Sequence, residues 1–313
     1  MQNKILITGC TGFVGLFLTN KLKKKFKLKL LIRKKHPFFQ YKDPKNIDVI
    51  YYDSLSQKYG WANILKDCKT VIHLAGIAHL NDHNNFKLQQ NIFKTNYYGT
   101  LNLFKNSIKY KIKKFIYLSS IGVNGEVSND KFTEKSIVNP INLYAKSKLR
   151  AEDKIKNLSK KKSIKYVIVR PPLIYGPNAP GNFNYLLKLI KKFHFFPFAS
   201  LKNKKSFIGI YNVISFIEIC LKSRVVDNKT FLISDNETVS LPELIKKIAK
   251  LLNKKIFLIK FPFFFLKLFF ILIGKKKSFD KISNQLIIDN TYSKKITKWK
   301  PISLDRQLKY TFK

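Results

Sequence analysis

Three residues in the first half of the chain have the types and spacing for moving a proton between an alcohol and a carbonyl. Tyr144 and Lys148 are four residues apart, so a helix would project both side chains from one face. A nearby ammonium lowers the pKa of a phenol, and a tyrosine that both gives and takes a proton suits this interconversion. Ser120, at the end of a strand-like run, would hydrogen-bond the same substrate oxygen. These residues therefore predict acid/base chemistry beside a hydride carrier.

A glycine-rich turn follows the first strand-like run, Lys4–Thr8, and contains Gly9, Gly12 and Gly15. In dinucleotide-binding turns the first glycine allows a tight turn, the second lets the backbone approach a pyrophosphate, and the third allows close packing of helix and strand. The free N–H groups of the following helix would then face the phosphates. Because this turn follows the first strand and precedes a helix, it predicts a dinucleotide cofactor.

The end of the second strand leaves the choice between NAD and NADP open. An acidic residue there would bind the adenosine ribose of NAD, but the strand ends in Arg33, Lys34 and Lys35. Arg33 or its lysine neighbours could instead meet the 2′-phosphate of NADP. Asp53, at the end of the third strand, is either an acceptor for the adenine amino group or a cap of the following turn.

The elements that must position these residues alternate between strands and helices over the first 170 residues. Helical spacing lies between short apolar runs, at Val14–Leu22, Phe93–Tyr110 and Leu143–Leu158. Apolar strands separated by helices imply a parallel sheet covered on both faces. The strand-like runs are Ile5–Thr8, Leu28–Ile32, Val49–Tyr52, Thr70–Leu74, Lys114–Ser119 and Tyr166–Val169. The predicted fold class is α/β, a doubly wound parallel-sheet Rossmann domain with a smaller α+β C-terminal substrate domain.

The second half of the chain is more irregular. It opens on a Pro- and Gly-rich loop, residues 170–181, and helical spacing resumes at Asn184–Phe193, Val213–Leu221 and Leu241–Leu252. A strand at Thr230–Ser234 could rejoin the main sheet. We therefore predict a cofactor-binding domain over residues 1–170 and a partly interleaved substrate domain over 171–313, with elements around 206–235 returning to the first domain.

Several short motifs together resemble the extended short-chain dehydrogenase/reductase family, in its NAD-dependent epimerase/dehydratase branch. The resemblance covers most of the chain. The matching stretches are Thr8-Gly9 with Gly12 and Gly15, His73-Leu74-Ala75-Gly76, Asn96-Tyr97-Tyr98-Gly99-Thr100, Ser119-Ser120, Tyr144 with Lys148, and Arg170-Pro171-Pro172.

The resemblance implies roles for several of the matching residues. Tyr144 would be the acid/base, Lys148 would bind the nicotinamide ribose, and Ser120 would orient the substrate oxygen. Asn96 would hold structure beside the site. The residues implied to line the cofactor are Gly9, Thr11, Gly12, Phe13, Val14, Gly15, Arg33, Asp53, Ala75, Tyr144, Lys148 and Pro171. Those expected near the substrate are His79, which follows the fourth strand, Asn182 and Lys205, which stands where relatives often have a phosphate-binding arginine. No metal site is expected.

The residues after Ser120 narrow the set of reactions that the family resemblance allows. Dehydratases of this family usually carry an Asp-Glu pair there, whereas this chain has Ile121 and Gly122, which transfer no proton. The resemblance therefore implies a nucleotide-sugar epimerase, acting at C4 of a UDP-hexose or UDP-N-acetylhexosamine through a 4-keto sugar. A reductase of a UDP-4-keto-6-deoxy-N-acetylhexosamine needs the same three catalytic residues and stays an alternative. Some relatives act on lipid-linked sugars, and many are dimers through helices like Phe93–Tyr110 and Leu143–Leu158.

The formal net charge of +43 suggests an alternative function of another class, that of a nucleic-acid-binding Rossmann protein. The chain has 56 lysines and only 5 arginines, and the excess is nearly even, with 34 basic and 10 acidic residues in 1–170 against 27 and 8 in 171–313. A binding tail would be local and often rich in arginine. The even spread favours general lysine enrichment and no nucleic-acid partner. Three cysteines without a CxxC pair and no secretory signal predict a cytoplasmic protein.

The most apolar stretch runs from Ile256 to Gly274 and is followed by three lysines. Pro262 breaks it, and the uninterrupted run Leu268–Ile273 is far shorter than the roughly 20 residues that span a bilayer. One interpretation is a core strand and helix, with Phe263, Leu266, Phe270 and Ile273 as the inward stripe. The other is an interfacial helix that brings residues 261–277 to the inner face of an anionic membrane.

Overall fold

The computed structural model describes residues 4–33, 46–57, 60–78 and 86–312. Its strands are β1 (Lys4–Thr8), β2 (Leu28–Arg33), β3 (Ile47–Tyr52), β4 (Cys68–His73), β5 (Lys114–Leu118), β6 (Lys165–Arg170), β7 (Ile174–Tyr175), β8 (Phe195–Phe196), β9 (Lys204–Ser206), β10 (Ile208–Gly209), β11 (Lys229–Leu232), β12 (Thr238–Ser240) and β13 (Phe257–Leu258). Seven of them form a parallel sheet in the order β11-β6-β5-β4-β1-β2-β3. The step from β1 across to β4 is the switch point at which such sheets bind ligands.

The helices are α1 (Phe13–Leu22), α2 (Trp61–Leu65), α3 (Phe86–Phe93), α4 (Thr100–Lys109), α5 (Leu143–Ser159), α6 (Asn182–Lys192), α7 (Ile210–Lys222), α8 (Leu241–Leu251), α9 (Phe263–Leu272), α10 (Lys276–Ser283), α11 (Thr291–Thr297) and α12 (Leu304–Phe312). A π-helical turn, Lys94–Gly99, joins α3 to α4. A capping box starts α8, since the Ser240 hydroxyl accepts from Glu243 N and the Glu243 carboxylate accepts from Ser240 N.

Helices cover both faces of the parallel sheet, as its apolar strands require. On one face Leu18 of α1 and Phe216 of α7 pack on the strands with no exposed surface. On the other face Phe104 of α4 and Ile155 of α5 do the same. The sheet interior is therefore dry on both sides, and the predicted doubly wound α/β fold is confirmed.

The second half adds short strand pairs and a smaller core. β7 pairs with β10, β9 with β12 and β8 with β13, and helices α6, α8 and α12 share a buried apolar cluster. β7 lies inside the segment predicted as a loop, because the buried Asp235 accepts hydrogen bonds from Tyr175 Oη (2.7 Å) and Gly209 N (3.1 Å) and so ties β7 beside β10. β11 pairs with β6, which returns this part of the chain to the main sheet. The division into domains 1–170 and 171–313 stays a prediction.

Helix α9 is not a core helix, so the first interpretation of the apolar segment is wrong. Only Leu266 of α9 is buried, while the rings of Phe263 and Phe270 contact Phe279 of α10 at centroid distances of 5.2 and 5.4 Å. Ile273, the fourth residue of the predicted stripe, is exposed. Too few elements surround α9 to cover its other sides. Within the described part of the chain, no helix is long and apolar enough to cross a membrane.

Candidate active site

The candidate site lies where β1, β4, β5 and β6 end, at one edge of the sheet. The register pairs Thr8 of β1 with His73 of β4, and Leu118 of β5 with Val169 of β6. The glycine turn, the segment around Ala75, the Ser119-Ser120 pair and Pro171 all follow directly from these ends. The fold thus brings most of the sequence-predicted residues to one crevice.

Ser120 and Tyr144 lie close together, Ser120 just before a short 3-10 turn and Tyr144 in the first turn of α5. Helix α5 begins beside Ser120 because the Asn142 side chain caps it, accepting from Ala145 N at 2.8 Å. Ser120 Oγ accepts from Gly122 N at 3.1 Å, which fixes the serine close enough to Tyr144 to act on its phenol. Burial raises the pKa of Tyr144 to about 12, and the Ser120 contact opposes that rise. The net shift is therefore upward, opposite to the lowered pKa that was expected beside Lys148.

Lys148 is buried one helical turn from Tyr144, with its ammonium 5.9 Å from the centre of the tyrosine ring. The ammonium donates to Leu118 O at 2.9 Å and lies 4.7 Å from the centre of the Tyr117 ring. Burial lowers the pKa of Lys148 to about 8, an effect that the charge of Glu152 opposes. This lysine is thus held at the end of β5 by the backbone, on the same side of α5 as Tyr144.

The glycine turn has the geometry of a phosphate cradle. Gly9 has φ +71°, and an added Cβ would lie 2.5 Å from Ala75 N. At Gly15 an added Cβ would lie 2.1 Å from Gly9 O, whereas at Gly12 the one neighbour within 4 Å is Gly9 O at 3.3 Å. Gly12 therefore presents an open backbone, and no side chain caps α1. The first N–H groups of α1 remain for an anion, so these residues fit a dinucleotide pyrophosphate.

Replacing Gly15 by alanine is expected to destabilise the fold by about 1–3 kcal/mol or more and to weaken NAD binding, because the methyl group collides with backbone at Gly9 and Cys10. Gly60 is the matched control. It has φ −67° and an added Cβ there meets only Asn63 Nδ2 at 4.0 Å, so alanine should cost less than about 0.5 kcal/mol. Urea unfolding and NAD titration measure both effects. Equal losses in the two variants would contradict this packing role.

The other predicted cofactor residues lie around the same crevice. Arg33 is the exposed last residue of β2 and pairs with Tyr52 of β3, so Asp53 follows at the same edge. Ala75 is buried, and its N donates to Thr8 Oγ1 at 3.4 Å. Pro171 O accepts from Ile121 N at 2.9 Å. Thr11, Phe13 and Val14 lie at the start of α1 and are partly exposed.

The predicted substrate residues are less closely grouped. His79 lies outside the described residues. Asn182 is the exposed first residue of α6. Lys205 of β9 donates to Lys281 O at 2.5 Å, and burial lowers its pKa to about 8 while the charge of Glu126 opposes this. Glu126 accepts from Asn142 Nδ2 at 2.6 Å, which places this carboxylate at the start of α5.

Sequence reasoning gave no role to His73, whose ring links three elements below the site. His73 Nδ1 lies 2.6 Å from Thr8 Oγ1, and Nε2 lies 2.7 Å from Thr100 Oγ1. The Thr100 hydroxyl donates to Asn96 O, so it accepts from His73 Nε2–H, and Nδ1 then accepts from Thr8. The ring is therefore neutral. Burial first, and the charge of Lys148 second, lower the pKa of His73 to about 3.

The burial of His73 as a neutral ring predicts that the folded protein loses stability in acid. The ordinary pKa of about 6.5 returns on unfolding, so below it the unfolded chain binds a proton that the folded chain excludes. From about pH 6.5 to about pH 5 the wild type should lose roughly 2 kcal/mol more than His73→Gln. Urea unfolding across this range checks the difference, with exposed His194→Gln as control. Parallel pH curves for the wild type and His73→Gln would refute the assignment.

A buried ionic network behind Ser120 was also missed. Arg170 at the end of β6 donates from Nε (2.9 Å) and Nη2 (2.5 Å) to the Glu152 carboxylate of α5. Ser119 Oγ donates to Glu152 at 2.5 Å, and Arg170 Nη1 donates to Asn124 at 3.0 Å. Glu152 comes one turn after Lys148, but nothing in its spacing identifies Arg170 as its partner. The network fixes α5, and so Tyr144, against β6.

The turn after Ser120 differs from the Asp-Glu pair expected of the dehydratases in this family. The residues after Ser120 are Ile121 and Gly122 in a short 3-10 turn, and an added Cβ at Gly122 would meet Ser120 Oγ at 3.4 Å and the Ala145 methyl at 3.5 Å. No carboxylate follows Ser120 in this turn. Tyr144 and Ser120 can therefore hold and move one proton at one substrate oxygen.

Several known proteins are similar to this chain in sequence and in architecture. The sequence profile of the NAD dependent epimerase/dehydratase family matches residues 5–233. UDP-glucose 4-epimerase of Vibrio cholerae is 33% identical, over 96% of this chain and 92% of that protein. N-acetyl-alpha-D-glucosaminyl-diphospho-ditrans,octacis-undecaprenol 4-epimerase of Escherichia coli O157:H7 is 26% identical, over 82% and 74%. The structure of UDP-glucuronic acid 4-epimerase from Bacillus cereus with UDP-glucuronic acid and NAD superposes with a TM-score of 0.78 at 20% identity, covering 99% of this chain and 98% of that one.

Proposed function

Because the chain belongs to the NAD dependent epimerase/dehydratase family, we propose that it inverts C4 of a UDP-hexose or UDP-N-acetylhexosamine through a 4-keto sugar. The observation that carries this proposal is the placement of Ser120 beside Tyr144, with Lys148 on the same helix face and no carboxylate in the turn after Ser120. The similarity to UDP-glucose 4-epimerase over nearly the whole chain supports the same reaction.

Family membership confirms three of the expectations from sequence. The chain is a sugar epimerase/dehydratase of the extended short-chain dehydrogenase/reductase type, its fold is Rossmann-like, and NAD is the cofactor of the family. The alternative of NADP depends on Arg33 at the end of β2 and stays a prediction. When bound, NAD takes up the hydride from the sugar carbon and gives it back.

In the proposed mechanism Tyr144 takes the proton of the sugar 4-hydroxyl as C4 is oxidised and returns it on reduction. Ser120 Oγ, held by Gly122 N, orients the same oxygen. A phenol with a pKa of about 12 is a poor base, so this step needs a lower pKa when the site is filled. The Lys148 ammonium, 5.9 Å from the ring centre, is the positive charge placed to favour the phenolate.

Lys148 and Asn96 would hold the cofactor side of the site. An added Cβ at Gly76 would lie 3.2 Å from both Lys148 Nζ and Asn96 Oδ1, so these groups and the backbone after β4 meet at one point. Asn96 accepts from Ile77 N at 2.8 Å and donates to Ser147 Oγ at 3.1 Å, which links that backbone to α5. In our proposal Lys148 donates to the nicotinamide ribose, and Asn96 positions both segments.

The proposal is tested with the purified protein and any cofactor it retains, supplied with UDP-N-acetylglucosamine or UDP-glucose and no reductant. A C4 epimer detected by NMR is the expected product. If no epimer forms but a UDP-4-keto-6-deoxy-N-acetylhexosamine is reduced with NADH or NADPH, the 4-keto-sugar reductase replaces the epimerase. Steeply salt-dependent RNA binding without any sugar turnover would overturn both and favour a nucleic-acid-binding protein.

A lipid-linked sugar diphosphate is the second candidate substrate. The similarity to the undecaprenol-linked 4-epimerase and the exposed apolar surface of α9 both favour it. Parallel assays with UDP-N-acetylglucosamine and N-acetylglucosaminyl-diphospho-undecaprenol distinguish the two substrates. A much larger kcat/KM for the lipid-linked sugar would move the assignment from nucleotide to lipid.

We also propose that the chain forms a homodimer through α4 and α5, which lie side by side on one face of the sheet. Tyr98, Lys146 and Arg150 are exposed on the π-helical turn and on α5. Sedimentation equilibrium should give about twice the 36.6 kDa mass of one chain, as expected for a two-fold pair. A charge-reversing Arg150→Glu should shift the mass toward one chain. A monomeric wild type would contradict this interface.

A further inference from the structure

Helix α9 presents its apolar side to solvent, the reverse of an ordinary surface helix. The exposed fractions are 68% for Phe264, 56% for Phe265, 54% for Phe269 and 76% for Leu272. With Leu268 and Ile271, which are also exposed, these residues form the α9 apolar face. At about 100° per residue the face covers an arc of roughly 160°, opposite the side that Leu266 and Phe270 turn toward α10. An apolar patch of this kind marks an interaction site.

Positive charge surrounds the α9 apolar face. Lys260 and Lys267 precede and border it, and Lys275 and Lys276 follow it, all exposed. No aspartate or glutamate occurs between Glu243 and Asp280, whereas ten lysines do. The even spread of charge over the whole chain explains the number of lysines, but it does not explain an exposed aromatic helix among them.

We propose that the α9 apolar face is a docking surface for an anionic lipid bilayer. The phenylalanine, leucine and isoleucine side chains would enter the boundary between headgroups and acyl chains, and the bordering lysines would contact lipid phosphates. The helix is too short to span the bilayer and so would lie in its surface.

Two other occupants fit the observations less well. A second copy would bring two lysine-rich borders together, with like charges facing each other across the contact. Nucleic acid would use the lysines and could stack bases on phenylalanine, but it has no use for the aliphatic Leu268 and Leu272 at the centre of the face or for Ile271 at its edge. Acyl chains match all of these side chains.

The docking surface is tied to the substrate side of the molecule. The Asn203 side chain donates to Ile282 O at 2.9 Å and to Asn284 O at 3.0 Å, and Lys205 donates to Lys281 O at 2.5 Å. The α9–α10 hairpin is therefore fastened to β9, which carries Lys205. Docking would hold this side of the protein at the membrane surface. The inference does not rest on the proposed reaction, because its test measures binding alone.

Co-sedimentation with vesicles of phosphatidylcholine and phosphatidylglycerol tests the proposal. The full chain should pellet with these vesicles and much less with phosphatidylcholine alone. Phe264→Ser with Leu272→Ser should lower the partition coefficient by roughly tenfold or more. The matched control, Tyr51→Ser with Val225→Ser, removes two side chains outside α9 that are also at least half exposed, and it should bind like the wild type. Phe270 is unsuitable as a test position because it packs on Phe279.

A second pair of variants separates this surface from general charge. Lys275→Glu with Lys276→Glu should reduce binding several-fold, whereas Lys160→Glu with Lys161→Glu, which makes the same change in net charge after α5, should have little effect. Equal losses in both pairs, or a wild type that stays in the supernatant, would overturn the proposal. Two further results would overturn the proposal. One is a wild-type oligomer that does not bind vesicles and that dissociates when the α9 serine substitutions are made. The other is RNA binding by the wild type that only the α9 serine variant loses. Unchanged circular dichroism establishes that each variant is folded.

Discussion

Tyr144→Phe is expected to lower the rate of sugar turnover by about 10²–10⁴-fold, the range for loss of a general acid/base. Phenylalanine keeps the ring but removes the hydroxyl on which Ser120 acts. Because the ring still fills its place at the start of α5, NAD binding and the free energy of unfolding should change little. The measurement is kcat/KM for the C4 epimerisation, together with an NAD titration.

Tyr98→Phe is the matched control, since Tyr98 is exposed on the π-helical turn before α4 and lies outside the proposed catalytic group. It should retain wild-type turnover. If Tyr144→Phe retained full activity as well, the proposed proton transfer would be wrong, whatever the product of the reaction.

Glu152→Gln is expected to cost about 3–5 kcal/mol of stability. Glu152 is fully buried, and Arg170 is 3% exposed, so the change leaves a guanidinium in the interior without its counter-charge. Ser119 would also lose its carboxylate acceptor. Urea unfolding measures the loss. Turnover should fall too, because this ion pair fastens α5 against β6.

The exposed pair of Lys247 and Asp305 supplies the comparison. Its N–O distance is 2.6 Å, close to that of the buried pair, but the Asp305 side chain is 58% exposed. Water and salt screen such a pair, so Asp305→Asn should cost less than about 1 kcal/mol. Similar costs at the two sites would show that burial does not set the strength of these contacts.

The parallel sheet and its helices could be predicted because local patterns specify them. Apolar runs such as Leu28–Ile32 become strands with both faces covered. Gly9 and Gly15 lie too close to backbone for a side chain, and Gly12 leaves the backbone open. Tyr144 and Lys148 could be placed together because residues four positions apart on a helix project from the same face. These predictions depend on neighbours in sequence.

The remaining features depend on pairings across the chain, which spacing does not reveal. The bond between Glu152 and Arg170 joins a helix to the next strand, and the neutral His73 is fixed by hydroxyls from Thr8 and Thr100. The direction of the Tyr144 pKa was wrong because the sequence shows its cation but not its burial. The sequence left undecided whether α9 is buried or exposed, because an apolar pattern does not distinguish a core helix from a membrane-facing one.

The net charge of +43 could be interpreted only after the fold was known. Several of its lysines have specific partners, among them Lys148 under the site, Lys29, which donates to two backbone carbonyls, and Lys114, which pairs with Asp227. Most of the others lie on the surface. The charge therefore says little about the reaction, and its proposed use is at the border of the α9 apolar face.

The central claim is that C4 is oxidised and reduced within one site, and an isotope experiment tests it most directly. UDP-N-acetylglucosamine carrying deuterium at C4 is incubated with the purified protein in ordinary water without added reductant. The account predicts a 4-epimer that keeps its deuterium at C4, because the hydride leaves and returns without meeting solvent. A 4-epimer whose C4 carries a proton from water, or no epimer from this sugar or from UDP-glucose, would contradict the account.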